Sequence, residues 1–297
     1  MLFHLPAIRD YVRSEFNQAS ALGFISNDEI DRWANEGYYK YVLMLMKAHQ
    51  GYFETSALLD IVANTETIAL PQNFTANEKS LLDVVIVEKV VSGARIPLQY
   101  RKRYDQPNQT TGGSAGETYL PTYDFRGNNL VLEPTPVSAE TDGIRIIYKA
   151  LPPRLRSGTA SAGAASTITL DSSADPRNDY YNDNRIFIYS GTGAGQIRTI
   201  SDYVGSTKVA TVSSTWTTNP DSTSVFSTLI HDDFPEIFHE LIPLFAAKKA
   251  FLKERSHNQK SSYDASCLKE LESQFIKFVD ERTQGRKFVQ PFNIEIF

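Results

Sequence analysis

Residues 157–229 constrain this 297-residue chain more than any other stretch. Of these 73 residues, 31 are Ser, Thr or Gly, and none is Glu, Cys, Met or His. Within them "STITLDSS", "NRIFIYSG", "GQIRTISDY", "KVATVSSTW" and "DSTSVFSTLI" read as short strands. Turn formers separate them at nearly even spacing, the pattern of a small all-β module. Without this block, Leu155 would run almost directly into His231. The block therefore reads as an insertion, 157–229, into a body made of 1–156 and 230–297.

The flanks carry helical periodicity. In "LPAIRDYVRSEF" the residues Leu5, Ile8, Val12 and Phe16 share one stripe. In the next segment Ser26 and Glu29 have the spacing of a capping box, and Ile30, Trp33, Tyr38, Tyr41, Leu45 and Ala48 repeat behind it up to a stop at Gly51. Near the C-terminus Phe238, Leu241, Phe245 and Leu252 line one face, with Pro243 delaying or kinking the helix. Leu268, Leu271, Phe275 and Val279 line another, closed by Gly285. Between these flanks lies a hairpin-rich region. Turns are read at Ser92-Gly93, at Gly127-Asn128-Asn129 and at Asp142-Gly143, and "DQPNQTTGGSAGETYLP" reads as a loop. The expected fold class is α+β: a helical core of about four main helices, a β-hairpin-rich middle and an inserted small all-β module.

The chemical signals are weak. "YSGTGAGQIRTI" lacks the Lys-Ser/Thr pair that a phosphate loop needs, and a strand-like run follows its glycines, so Gly191, Gly193 and Gly195 read as a hairpin turn. In "FHELIP" Pro243 stands where a second zinc-binding His would be, and the lone Cys267 cannot build a disulfide framework. "DPRNDYYNDN" does not satisfy the calcium-loop pattern. In "HDDF" a base could face a carboxylate, but Asp232 or Asp233 reads rather as a helix cap. No catalytic residue, cofactor site or metal site is assigned, and the chain reads as a non-enzyme. A net charge of −5 argues against a general phosphate-backbone binder. The basic strings "YRKRY" and "AKKAFLKERSHNQK" (Arg101, Lys102, Arg103, Lys248, Lys249, Lys253, Arg255, Lys260) read as solvated or partnered faces. No signal peptide and no membrane span are read.

The order of parts is more specific than any motif. Two N-terminal helices, with "DEIDRWANEGYYKYV" on the second, lead into hairpins closing on "YDFRGNNLVLEPTP", then "PEIFHELIPLFAAKKAFLKE" and one more amphipathic helix. This arrangement resembles the head-to-tail adaptor, or connector, proteins of tailed bacteriophages over residues 1–156 and 230–297. The inserted block looks like a module of phage structural proteins. The resemblance implies a homo-oligomeric ring, commonly of about twelve copies. Such a ring lies between portal and tail in the virion neck, is assembled in the host cytoplasm and extends the channel through which double-stranded DNA passes. Its implied partners are the portal protein and a tail or tail-completion protein.

The C-terminal segment Lys287 to Phe297 ends in alternating apolar and polar residues, so Phe288, Val289, Phe292, Ile294, Ile296 and Phe297 are the expected portal-docking residues. The alternative is a non-catalytic ligand- or carbohydrate-binding β module on a helical carrier, with Tyr180, Tyr181, Tyr189, Tyr203 and Trp216 as a stacking surface.

Overall fold

The computed structural model describes residues 4–15, 25–48, 51–70, 81–101, 120–253 and 268–283. Helices α1 (Leu5–Glu15) and α2 (Asn27–Leu45) come first, and α3 (Leu241–Lys253) and α4 (Lys269–Thr283) come last. The capping box forms fully: the Glu29 amide donates to Ser26 Oγ at 3.2 Å, and the Ser26 amide donates to Glu29 Oε2 at 3.0 Å. Helix α2 ends at Leu45, well short of Gly51. The helix α3 starts late, after a 3₁₀ turn at Glu236–Phe238. Pro243 therefore sits in its first turn, where a missing amide breaks no intrahelical bond. Leu252 is exposed rather than on the buried face, because α3 is covered on nearly every side of its first ten residues instead.

Among the described residues, fourteen strands separate these helix pairs. The strands β1 (Glu54–Ile61), β7 (Glu140–Ala150), β3 (Leu81–Val91) and β4 (Ala94–Pro97) form an antiparallel sheet in the order β1-β7-β3-β4. A second sheet has the order β2 (Thr67–Ala69), β6 (Asn129–Glu133), β5 (Thr122–Arg126). Ser92 and Gly93 have φ of 48° and 82°, as the two-residue turn between β3 and β4 demands. Asp142-Gly143 is not a turn. It lies inside β7, with Asp142 at φ 53° and a register shift in β1 opposite, so it is an irregularity within a long strand. Ile61, Val87, Ile144 and Ile146 of the first sheet and Ile68, Leu130 and Leu132 of the second fill one buried cluster between them.

The third sheet is built from β8 (Ser157–Thr159), β9 (Ala162–Ala164), β10 (Thr167–Thr169), β11 (Arg185–Ser190), β12 (Ile197–Val204), β13 (Val209–Val212) and β14 (Val225–Thr228). Its order is β8-β14-β11-β12-β13-β10-β9. The two outermost strands, β8 and β9, are separated in the chain only by Ala160 and Ser161. The Ala160 amide donates to Ser224 on one flank, and the Ser161 amide to Thr169 on the other, both at 2.8 Å. One run of chain thus pairs with both ends of the sheet, which curls into a barrel around Ile168, Ile186, Ile188, Ile200, Tyr203 and Phe226. The strands β8 and β9, "SGT" and "AGA", had no signal in the sequence, since Gly, Ala and Ser are poor strand formers.

The expectation of a helical core is overturned. The described chain is mostly β, with fourteen strands in three sheets against four α-helices. Of three buried clusters, only one is built mainly from helices, and even that one draws in Phe53, Leu155, Ile230 and Phe234 from outside them. The helical periodicities were real, but two cores were made by strands whose apolar residues alternate with polar ones and so stand out less.

Candidate interaction surfaces

The glycine-rich stretch closes the β11–β12 hairpin. Gly195 donates to Ile188 O at 2.8 Å, and Ile188 donates to Gln196 O at 3.0 Å. Gly191, Gly193 and Gly195 have φ of 78°, 80° and 90°. A Cβ on Gly191 would lie 2.0 Å from Thr223 O, so neighbouring backbone fills the space beside it. Gln196 then ties the turn to the next loop. Its amide nitrogen Nε2 donates to Gly193 O and Thr218 O, each at 2.9 Å, while Oε1 accepts from the amides of Thr217 at 2.6 Å and Thr218 at 3.2 Å.

The other singled-out residues are absorbed into structure. His239 is buried, its Nε2 lies 2.9 Å from Phe234 O, and burial lowers its pKa, so the ring is neutral near pH 7. Asp233 is not a helix cap: it accepts the Phe53 amide at 2.7 Å, and the 3₁₀ turn has Pro235 at its N-cap with no side-chain bond. Asp232 pairs instead with Arg185 at 2.5 Å. In "DPRNDYYNDN", Asp175 is taken by Arg177 and Asn178 by the Gly205 amide. Among the described residues no group of three or more His, Cys, Asp or Glu has metal-binding geometry. No described helix is long and apolar enough to cross a membrane.

Of the basic strings, Lys249 pairs with Glu36 at 2.6 Å and Lys253 with Glu29 at 2.7 Å, which joins α3 to α2. The Arg101 amide donates to Tyr123 O, extending the chain after β4 along β5. Lys102, Arg103, Arg255, Lys260 and Cys267 lie outside the described residues, as does most of the loop read at 105–121. The aromatic residues of the block do not make one surface. Tyr181, Tyr203 and Trp216 are buried in the barrel. Tyr180 packs edge-on to Tyr181, and Tyr189 stacks on His4. That placement removes the stacking platform on which the carbohydrate reading rested.

Two surfaces remain. The outer face of the first sheet carries exposed Leu58 and Ile86; Ile147 of β7 pairs with Ile86 on one side and Ser56 on the other, and Leu58 pairs with Arg145 two residues along. Its strand β1 is an edge of the sheet, and it has neither Pro nor Lys to discourage another strand. The second is the neck of the barrel. The Asn35 side chain accepts from the Leu155 amide at 2.8 Å and donates to Leu155 O at 3.0 Å, while Arg9 reaches both Asp31 and Ser157. The sequence hinted at this only by placing Asn, a weak helix former, in the middle of α2. The residues of the expected docking tail, Phe288, Val289, Phe292, Ile294, Ile296 and Phe297, lie outside the described residues.

A family model described as SU10 adaptor protein matches residues 5–177. The match takes in α1, α2, the first two sheets and the start of the barrel, and it stops within the block at 157–229. No curated protein matches the chain. The chain belongs to the SU10 adaptor protein family, and the resemblance to phage adaptor proteins holds at that level.

Proposed function

We propose that this member of the SU10 adaptor protein family is a structural component of a phage virion that forms a ring between portal and tail. The family match over residues 5–177 carries the reading. In it, about twelve copies surround the DNA channel, with closed rotational symmetry and head-to-tail contacts between copies. The net charge of −5 per chain suits a conduit that must let DNA pass without holding it. The exposed apolar face around Leu58 and Ile86 suits a chain whose surface is shared with neighbours.

Within this reading, residues 157–229 are a module inserted into a body of 1–156 and 230–297. Two observations support it. The barrel has its own buried cluster, and its entry and exit lie side by side, the Thr228 amide donating to Arg156 O at 2.9 Å. The C-terminal residues Lys287 to Phe297 are the docking element, adding as an extended strand to a sheet edge of the portal.

The test is imaging of virions and of purified protein mixed with portal rings, with full-length chain beside a chain truncated after Arg286. The reading expects a ring of density at the neck, and portal binding that the truncation weakens at least tenfold. A virion neck without this protein sinks the reading. Unchanged portal affinity after truncation sinks the tail's role alone.

A further inference from the structure

We infer that Asn35 and Arg9 latch the barrel to helices α1 and α2, so that the barrel is carried as a fixed bracket and not on a loose tether. Asn35 offers its side-chain amide to Leu155 much as a neighbouring strand would, taking both the N–H and the C=O of that residue. Its Nδ2 also bonds Asp31 O, 2.9 Å away, which holds the amide plane in place on α2. Arg9 crosses from α1, grips the Asp31 carboxylate with Nε at 2.7 Å and with Nη2, and gives Nη2 to Ser157 Oγ at 3.0 Å. Both helices therefore hold the first strand of the barrel at its root.

The returning strand is held as firmly. Arg156 and Thr228 exchange bonds, the Arg156 amide donating to Thr228 Oγ1 at 2.9 Å. Leu229 pairs with His4 just ahead of α1, and the His4 ring lies on Tyr189 and Phe187 of β11. Leu155 and Ile230, on either side of the neck, are 3% and 1% exposed and belong to the helical cluster. A swinging module would need solvated linkers at these positions. Here Leu155 and Ile230 are buried, and the backbone groups at the neck are bonded to side chains of α2 and to each other. The inference does not rest on the adaptor reading: a locked neck stands or falls by motion within one chain.

The experiment uses the full chain with Cys267→Ser as background and spin labels at Lys47→Cys beyond α2 and Asp202→Cys on β12. Pulsed electron-spin distance measurement in frozen solution is expected to give one narrow distribution. Arg9→Met with Asn35→Leu is expected to widen it at least twofold, and Asn35→Asp, which keeps the acceptor and loses the donor, to widen it less. A broad or multiply peaked distribution in the background chain overturns the inference whatever the variants do. So does an unchanged narrow distribution in the double variant. Should the double variant fail to fold, the background chain and Asn35→Asp still decide the matter in the same way.

Discussion

Gly37→Ala tests the packing of α2 on α3. Helix propensity alone favours the change, since Ala in a helix interior is about 1 kcal/mol better than Gly. The structure opposes it. A Cβ at position 37 would lie 2.8 Å from Phe245 Cδ1, 3.0 Å from Cγ and 3.1 Å from Cβ. Because the last of these is the Phe245 Cβ, rotating the ring cannot clear the contact, and the two helices must move apart or Phe245 must leave its rotamer. Overpacking of this kind costs about 1–3 kcal/mol. Phe245 also packs edge-on to Tyr41 at 6.2 Å, and Tyr41 to Phe275 at 5.6 Å, so the strain reaches α4. The net expectation is destabilisation by up to about 2 kcal/mol, the steric cost exceeding the propensity gain. Urea unfolding followed by far-ultraviolet circular dichroism at 222 nm reads it as a lower midpoint with unchanged slope. Phe245→Ala, which removes the Cδ1 and Cγ contacts, should lose less in the Gly37→Ala background than in the wild type, giving a favourable coupling in a double-mutant cycle. A Gly37→Ala protein as stable as the wild type or more so would refute the reasoning, because propensity would then have outweighed the contact.

Gln196→Leu removes three bonds between the glycine hairpin and the 217–218 loop and one within the hairpin, and amide exchange at Thr217 and Thr218 should accelerate at least tenfold while the barrel core stays protected. Lys89 is buried and its ammonium pairs with Glu140, so Glu140→Ala should cost about 2–4 kcal/mol in urea unfolding, and Lys89→Met added to it should recover part of that loss. Glu272 is partly buried, which alone would raise its pKa, but bonds from Lys40 and Tyr41 outweigh this and hold it below the ordinary carboxylate value. Asp171 and Asp175 are likewise held low against burial, by Ser173 and Arg156 and by Arg177. Groups depressed in the folded state stabilise it above their unfolded pKa, near 4, and lose that contribution as pH falls through the lower folded values. Stability followed by thermal melts should therefore hold from pH 7 to about pH 5 and fall below about pH 4, and Glu272→Gln should make the fall shallower.

The local signals in the sequence survived folding because they are satisfied locally. The capping box of Ser26 and Glu29, the two-residue turn at Ser92-Gly93 and the glycine hairpin need only a few neighbouring residues, so spacing and residue type suffice to read them. The Leu268, Phe275 and Val279 stripe was legible for the same reason, since a helix brings i, i+4 and i+7 together whatever it packs on. The strand character of residues 157–229 was legible in its alternation, but the closure into a barrel was not: that depends on Gly158 of β8 meeting Phe226, 68 residues on, and Gly163 of β9 meeting Ile168, 5 residues on, and neither strand has a pattern of its own. The balance between helix and sheet was decided in the same non-local way. The strands β1, β7 and β3 come from residues 54–61, 140–150 and 81–91, and only their assembly builds a core separate from the one the helices line. The neck is the clearest case. Asn35 and Leu155 are 120 positions apart, and no spacing rule joins them; tertiary structure alone turned a poor helix former into the residue that holds both backbone groups of Leu155.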